Sequence, residues 1–309
     1  MARVPRLVVE GEPAVYHLVS RTALDGFPLG DVEKEHMVRL LKALSGLFFV
    51  EVLGFSVLGN HVHIVVRARP GEEISDEEIR RRLVAFYGEE AGKTLGKGDM
   101  DALRARLGSV SSYMKEIKES FTRYYNKKQG RQGFFWGGRF KSVLVEDGDT
   151  LINVLAYVDL NAVRAGIVER PEEYRWCSLG YHIQAKNKDG FLSLDFGLAP
   201  FGAMGPKARL LHYRKFVYEV GSLPTGKGAS IDEEIVEKEE KRGFELSPTD
   251  CFRYRTRYFT DSGVIGSKEF VSACYVRFQG HFNCRREKRP TAIRGIDGVY
   301  SLKRLRLSA

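Results

Sequence analysis

Two histidines one residue apart, in Gly59-Asn60-His61-Val62-His63-Ile64-Val65-Val66, have the residue type and spacing to do chemistry. On a strand, side chains alternate between faces, so His61 and His63 point the same way while Val62, Ile64 and Val66 fill the opposite face. Paired imidazoles just past a tight turn make half of a metal site. Imidazole suits Mn2+, Zn2+ or Fe2+ by softness, and a phosphate substrate favours Mg2+ or Mn2+. The pair still needs a third ligand and a reactive group.

Both are offered by Leu155-Ala156-Tyr157-Val158-Asp159-Leu160-Asn161-Ala162-Val163-Arg164-Ala165-Gly166. In a helix, Tyr157 and Asn161 stand four residues apart on one face. Beside them Leu151, Val154, Leu155 and Val158 form an apolar stripe that can lay the helix on a sheet. If that packing carries the polar edge over His61 and His63, the Asn161 amide oxygen completes the metal site and Tyr157 sits beside a metal-bound phosphate. A phenol with a pKa of about 10 is a poor nucleophile at neutral pH. A divalent cation on the phosphate withdraws charge and favours the phenolate. A covalent phosphotyrosine would conserve the bond energy, so a cut strand could be rejoined elsewhere. The plain alternative is a half-buried tyrosine followed by an asparagine that caps the helix end. Tyr124 and Tyr125 are rival nucleophiles in a basic setting, and Gln129 could serve only Tyr125.

The elements that must position these groups can be read from periodicity. Val15–Ser20 has strand character, a helix runs from about Asp31 to Phe48, and Phe49–Leu58 and His61–Arg67 are two strands joined across Gly59-Asn60, a hairpin signal. A charged, glycine-punctuated insertion with helical pieces fills about 70–107. An amphipathic helix follows from Ser109 to about Asn126, then a basic, aromatic loop, a short strand at Lys141–Glu146, and the tyrosine helix from near Asp149. This order predicts an α+β architecture, with helices packed on one face of an antiparallel sheet. A unit over 1–197, a Gly- and Pro-bearing linker region over 198–228 and a mainly helical, basic C-terminal part over 229–309 are expected.

Composition narrows the partners. The 309 residues carry a net charge of +9, and 43% are hydrophobic, enough for a packed core. From Cys251 onward there are thirteen Lys and Arg against four Asp and Glu, with Phe252, Tyr254, Tyr258 and Phe259 interleaved. That pattern points to a nucleic-acid surface. No apolar run approaches the roughly eighteen residues of a membrane span, and Met1-Ala2-Arg3-Val4-Pro5-Arg6 lacks the order of a signal peptide. Cytoplasmic residence without membrane association is expected, with reduced thiols. Cys274, His281 and Cys284 match no standard zinc knuckle.

Six segments in order carry a resemblance to a known family. They are Tyr16-His17-Leu18-Val19-Ser20-Arg21, Asn60-His61-Val62-His63, Phe121-Thr122-Arg123-Tyr124-Tyr125-Asn126, Phe135-Trp136-Gly137-Gly138-Arg139-Phe140-Lys141, Tyr157 to Gly166, and Glu173-Tyr174-Arg175-Trp176-Cys177-Ser178. Over roughly residues 1–185 the chain resembles the His-hydrophobic-His (HUH) single-tyrosine insertion-sequence transposases, and most closely the REP-associated tyrosine transposase-like group. The resemblance implies a ferredoxin-like α+β catalytic domain with the histidine pair on a central strand. It implies that His61 and His63 bind the metal (Mg2+ or Mn2+), that Asn161 is the third ligand and that Tyr157 is the nucleophile. It also implies that single-stranded, hairpin-forming DNA is cut and rejoined through a 5′-phosphotyrosine. Where the family usually has Pro, this chain has Ala162, which removes a rigid turn element and no catalytic group.

The loop between the amphipathic helix and the short strand fits a DNA-reading role. Arg123, Arg131, Arg139 and Lys141 can meet phosphates, and Phe134, Phe135 and Trp136 offer flat faces to unpaired bases. The other reading of those rings is that they plug the core. Two other classes of function stay open: a domesticated, non-catalytic DNA-binding regulator, and a metal phosphoesterase that uses water in place of Tyr157. Monomer and homodimer are both compatible with the sequence.

Overall fold

The computed structural model describes residues 7–69, 74–92, 96–185, 187, 189–202, 205–223, 228–232, 263–281, 289–292 and 298–302. Strand β1 (Ala14–Arg21) leads to helix α1 (Asp31–Leu47), and β2 (Val50–Val57) and β3 (His61–Ala68) follow as a hairpin around Gly59-Asn60. Helices α2 (Asp76–Tyr87) and α3 (Lys97–Leu107) occupy the insertion. Next come α4 (Val110–Gln129), β4 (Lys141–Val145), α5 (Asp149–Asp159), the short α6 (Asn161–Arg164) and α7 (Ser178–Gln184). Helix α8 spans Pro206–Ser222, and β5 (Val264–Gly266), α9 (Lys268–Arg277), β6 (Thr291–Ala292) and β7 (Tyr300–Ser301) complete the described elements.

Among the described residues the strands form one seven-stranded sheet in the order β2-β3-β1-β4-β5-β7-β6. Its first four members are antiparallel neighbours. With the chain order β1-α1-β2-β3-α4-β4, this is the split βαβ arrangement of a ferredoxin-like core. The expected α+β class is therefore found, and β3 and β1 lie in the middle of the four.

Alternation along each strand sorts the core into two layers. Tyr16, Leu18, Val62, Ile64, Val66 and Leu144 pack with residues of α1 and α4 such as Met37, Leu41, Ile117 and Phe121. The odd-numbered residues Val15, Val65, Val143 and Val145 pack instead with Leu151, Val154, Leu155 and Val158 of α5 and with Tyr213 and Val217 of α8. Helices were expected on one face. The structure puts α1 and α4 there and adds α5 and α8 on the other, where Val15, Val65, Val143 and Val145 give the second face an apolar part that must also be covered.

The stretch expected as a linker over 198–228 carries α8, whose Tyr213, Val217 and Val220 are buried. The described pieces of the C-terminal part continue the sheet, with β5 parallel to β4. Most of the basic residues counted there lie outside the described residues. The insertion keeps to the α1 side, where Ile79, Leu83, Met100 and Leu107 join the core. Among the described residues no helix is long and apolar enough to cross a membrane.

Candidate functional site

The antiparallel register places the histidines. Arg21 stands opposite His61, Val19 opposite His63 and His17 opposite Val65, so His17, His61 and His63 share a face. On its other side His17 faces Val143 of β4, and across β2 His63 faces Ser56. His17 and His63 are diagonal neighbours on adjacent strands, which long side chains can bridge. Their rings do so: His17 Nε2 lies 2.9 Å from His63 Nδ1 with both groups buried, and the rings lie 21° from parallel with centroids 5.1 Å apart. The His61 and His63 ring centroids are also 5.1 Å apart.

Helix α5 covers this face. Its entire length from Thr150 to Asp159 is buried apart from Asn153, which is half-buried, and the predicted stripe enters the second core layer. Close approach to β2 requires Gly54, where an added Cβ would come within 2.6 Å of a Leu155 methyl carbon. The far end of α5 is fastened by the buried Asp159 carboxylate. It accepts hydrogen bonds from Ser178 Oγ at 2.7 Å, Leu179 N–H at 2.9 Å and Tyr213 O–H at 2.6 Å. Burial raises the Asp159 carboxyl above its ordinary value, against the lowering effect of these donors.

Thus held, Tyr157 stands edge-on to both buried histidines, its ring centroid 5.7 Å from that of His63 and 6.0 Å from that of His17. The guanidinium of Arg164 lies over the Tyr157 ring, 5.2 Å from its centroid. Asn161 follows at the break between α5 and α6. Its amide nitrogen donates to the carbonyls of Tyr157 at 2.9 Å and Val158 at 3.3 Å. It therefore caps the end of α5, and the amide oxygen is left to accept from elsewhere.

The rival tyrosines are on the wrong side of the sheet. Tyr125 is buried in the α1–α4 layer, and Tyr124 stacks on His36 with centroids 3.5 Å apart.

Electrostatics leaves the histidine pair neutral. Burial, then the nearby Arg21, lowers His61 to about 4. Burial, then His17 and His61, lowers His63 well below the ordinary imidazole value. Neutral imidazoles keep a lone pair for a metal ion at physiological pH. The Nδ1 of His61 is 2.7 Å from the Asn60 side-chain oxygen, an acceptor that places the proton on Nδ1 and leaves the lone pair on Nε2. Among the described residues no group of three or more His, Cys, Asp and Glu side chains is arranged to hold a metal ion. Two neutral imidazoles and an amide oxygen are donors of the chemical type a divalent cation takes.

A second feature lies on the α4 side. A groove of about 810 Å3 is lined by Lys115, Lys118, Thr122, Arg123, Phe134 and Arg139, among others. Phe134 is 86% exposed. Phe135 and Trp136, expected to offer faces to bases, are instead buried against Phe121 and Tyr125. The loop is stitched to the end of β1 by Ala23 N–H to Phe135 O and Gly137 N–H to Arg21 O, which turns Phe135 and Trp136 inward and leaves Phe134 outside. Arg123 reaches Ser120 and Glu116, while Arg131 donates to the Phe134 carbonyl and lies over the Tyr125 ring. Arg139 and Lys141 are exposed.

His17, the Asn60 side chain and Arg164 are the members of this site that sequence reasoning does not single out. A lone histidine among apolar strand residues was the available signal for His17, and the register makes it meaningful.

No family model matches the sequence, and no curated protein matches it. Among solved structures, the chain is similar to the REP-associated tyrosine transposase bound to a REP hairpin. The identity is 15% and the TM-score 0.41, over 63% of this chain and 90% of that one. The likeness is distant.

Proposed function

We propose that this protein is a DNA transposase, a single-strand endonuclease and ligase that acts on hairpin-forming DNA through a covalent 5′-phosphotyrosine. The observation that carries this reading is the packing of Tyr157 against the buried rings of His63 and His17, which brings the candidate nucleophile to the histidine pair.

In this reading Tyr157 Oη attacks a backbone phosphorus, the bond to the 3′ oxygen breaks, and that oxygen leaves as a 3′ hydroxyl. The phenol loses one proton and the departing oxygen gains one. Attack by a second 3′ hydroxyl on the phosphotyrosine reverses the step and joins strands. Arg164 places positive charge beside the ring on which negative charge builds. His61, His63 and Asn161 would hold Mg2+ or Mn2+, which supplies withdrawal of charge from the scissile phosphate. Arg21 links the site to the basic groove, since it faces His61 in register while its carbonyl accepts from Gly137. Single-stranded DNA lying in that groove would stack a base on the exposed Phe134 and meet phosphate-binding cations at Lys115, Lys118 and Arg139.

The test is covalent capture. A hairpin-bearing single-stranded oligonucleotide incubated with Mg2+ or Mn2+ should become attached to the wild-type protein and stay unattached in EDTA. Tyr157→Phe should bind the same DNA and form no adduct. An adduct in Tyr157→Phe removes Tyr157 as nucleophile. Cleavage without an adduct, unchanged in Tyr157→Phe, would indicate attack by water. Salt-sensitive binding indifferent to EDTA, with no cleavage, would indicate a non-catalytic DNA-binding regulator.

A further inference from the structure

A neutral imidazole carries a single N–H, so the 2.9 Å contact between His17 Nε2 and His63 Nδ1 can be made in two ways. If His17 donates, His63 must carry its own proton on Nε2, and that nitrogen has no lone pair to give. If His63 donates from Nδ1, its Nε2 is left as a base. Both rings are buried, His17 completely, and the strand neighbours of His17 on this face are Val65 and Val143, so no bulk water competes for the contact. His61 already shows the second arrangement, since the oxygen 2.7 Å from its Nδ1 is an amide oxygen that accepts.

We infer that His17 is a positioning residue: it accepts the Nδ1–H of His63, holds that ring edge to edge within 21° of its own plane, and so aims the His63 Nε2 lone pair at the same cation as His61. The inference rests on the metal-assisted reading of this site. The same ring stands against Tyr157 at 6.0 Å, so one buried side chain sets both the ligand and the seat of the phenol. The coupling is reciprocal: a cation on Nε2 withdraws electrons from the ring and strengthens the Nδ1–H···Nε2 bond.

Two measurements test it on the full chain. Long-range 15N–1H correlation spectra of the metal-free protein, labelled at histidine, should show His63 protonated at Nδ1. Protonation at Nε2 overturns the inference, whatever the protein's activity. In calorimetric titration with Mn2+, His17→Phe should lose roughly 10- to 100-fold in affinity, the range typical of an outer-shell partner. His17→Gln, whose side-chain oxygen can accept the same proton, should recover most of that loss. Binding of hairpin DNA in EDTA should be unchanged in both. A folded His17→Phe protein with wild-type Mn2+ affinity overturns the inference while leaving the metal site intact. If the wild type shows no Mn2+ binding that His61→Ala removes, the proposed metal chemistry itself fails, and this role of His17 falls with it. Should His17→Phe not fold, the wild-type tautomer still decides.

Discussion

The hydroxyl of Tyr213 on α8 donates to Asp159 at 2.6 Å, and Asp159 lies two residues beyond Tyr157 on α5. With Ser178 and Leu179 completing the set, three donors from two other elements fix the end of the helix that carries the candidate nucleophile. Removing one buried partner while leaving the other is expensive, about 1–3 kcal/mol. Tyr213→Phe should therefore lower stability by about that amount in denaturant melts, and it should slow adduct formation more than it weakens DNA binding. A Tyr213→Phe protein with unchanged stability and rate would show that Asp159 does not hold the helix.

Asp159 also sets a dependence on pH. Its carboxyl is raised by burial, so the folded state binds the proton more tightly than the unfolded chain. Its contribution to stability is complete below the ordinary carboxyl value of 3.8 and declines as pH rises through the folded value. The stability difference between wild type and Asp159→Asn should shrink in the wild type's disfavour as pH rises above 3.8. A difference that grows in the wild type's favour over that range would contradict the assignment.

His61 and His63 act in the opposite sense. Each folded value lies below the ordinary 6.5, to about 4 for His61, so the unfolded chain takes up protons that the folded one refuses. Stability is full above pH 6.5 and is lost as pH falls toward 4. A single such group gives a slope of up to about 1.4 kcal/mol per pH unit within its window. His61→Gln should flatten the acid limb of a stability profile between pH 6.5 and 4, and an unaltered limb would exclude His61 as a source.

Neighbouring phenylalanines should behave as opposites. Phe135 is wholly buried, and truncation of such a ring costs about 3–5 kcal/mol. Phe134 is 86% exposed, so Phe134→Ala should change stability by no more than about 0.5 kcal/mol. If a base stacks there, Phe134→Ala should weaken single-stranded DNA binding by about 1–3 kcal/mol. Equal effects of the two substitutions on melting would sink this division of labour.

Arg139 is exposed beside that groove. If it neutralises one phosphate of a single strand, Arg139→Ala should reduce the slope of log affinity against log salt by about 0.7. A weaker complex with the wild-type slope would mean that Arg139 contacts something other than phosphate.

Much of the site could be read along the chain because it depends on local periodicity. The two-residue alternation of β3 puts His61 and His63 on one face, and the four-residue spacing of a helix puts Tyr157 and Asn161 together over the stripe of Leu151, Val154, Leu155 and Val158. The hairpin at Gly59-Asn60 makes β2 and β3 neighbours in the sheet. Those features need only neighbours in sequence.

Other features needed the folded chain. Nothing local shows that α5 covers the histidine face, since either apolar side of the sheet could have received it. Gly54 and the Asp159 contacts are what seat it there. The pairing of His17 with His63 arises from strand register across 46 residues, and the division between Phe134 and Phe135 from the stitching of a loop to β1. Periodicity fixes which side chains of one element share a face. Which element comes to cover that face is settled by competition for burial among segments far apart in the chain, and that competition is resolved only in three dimensions.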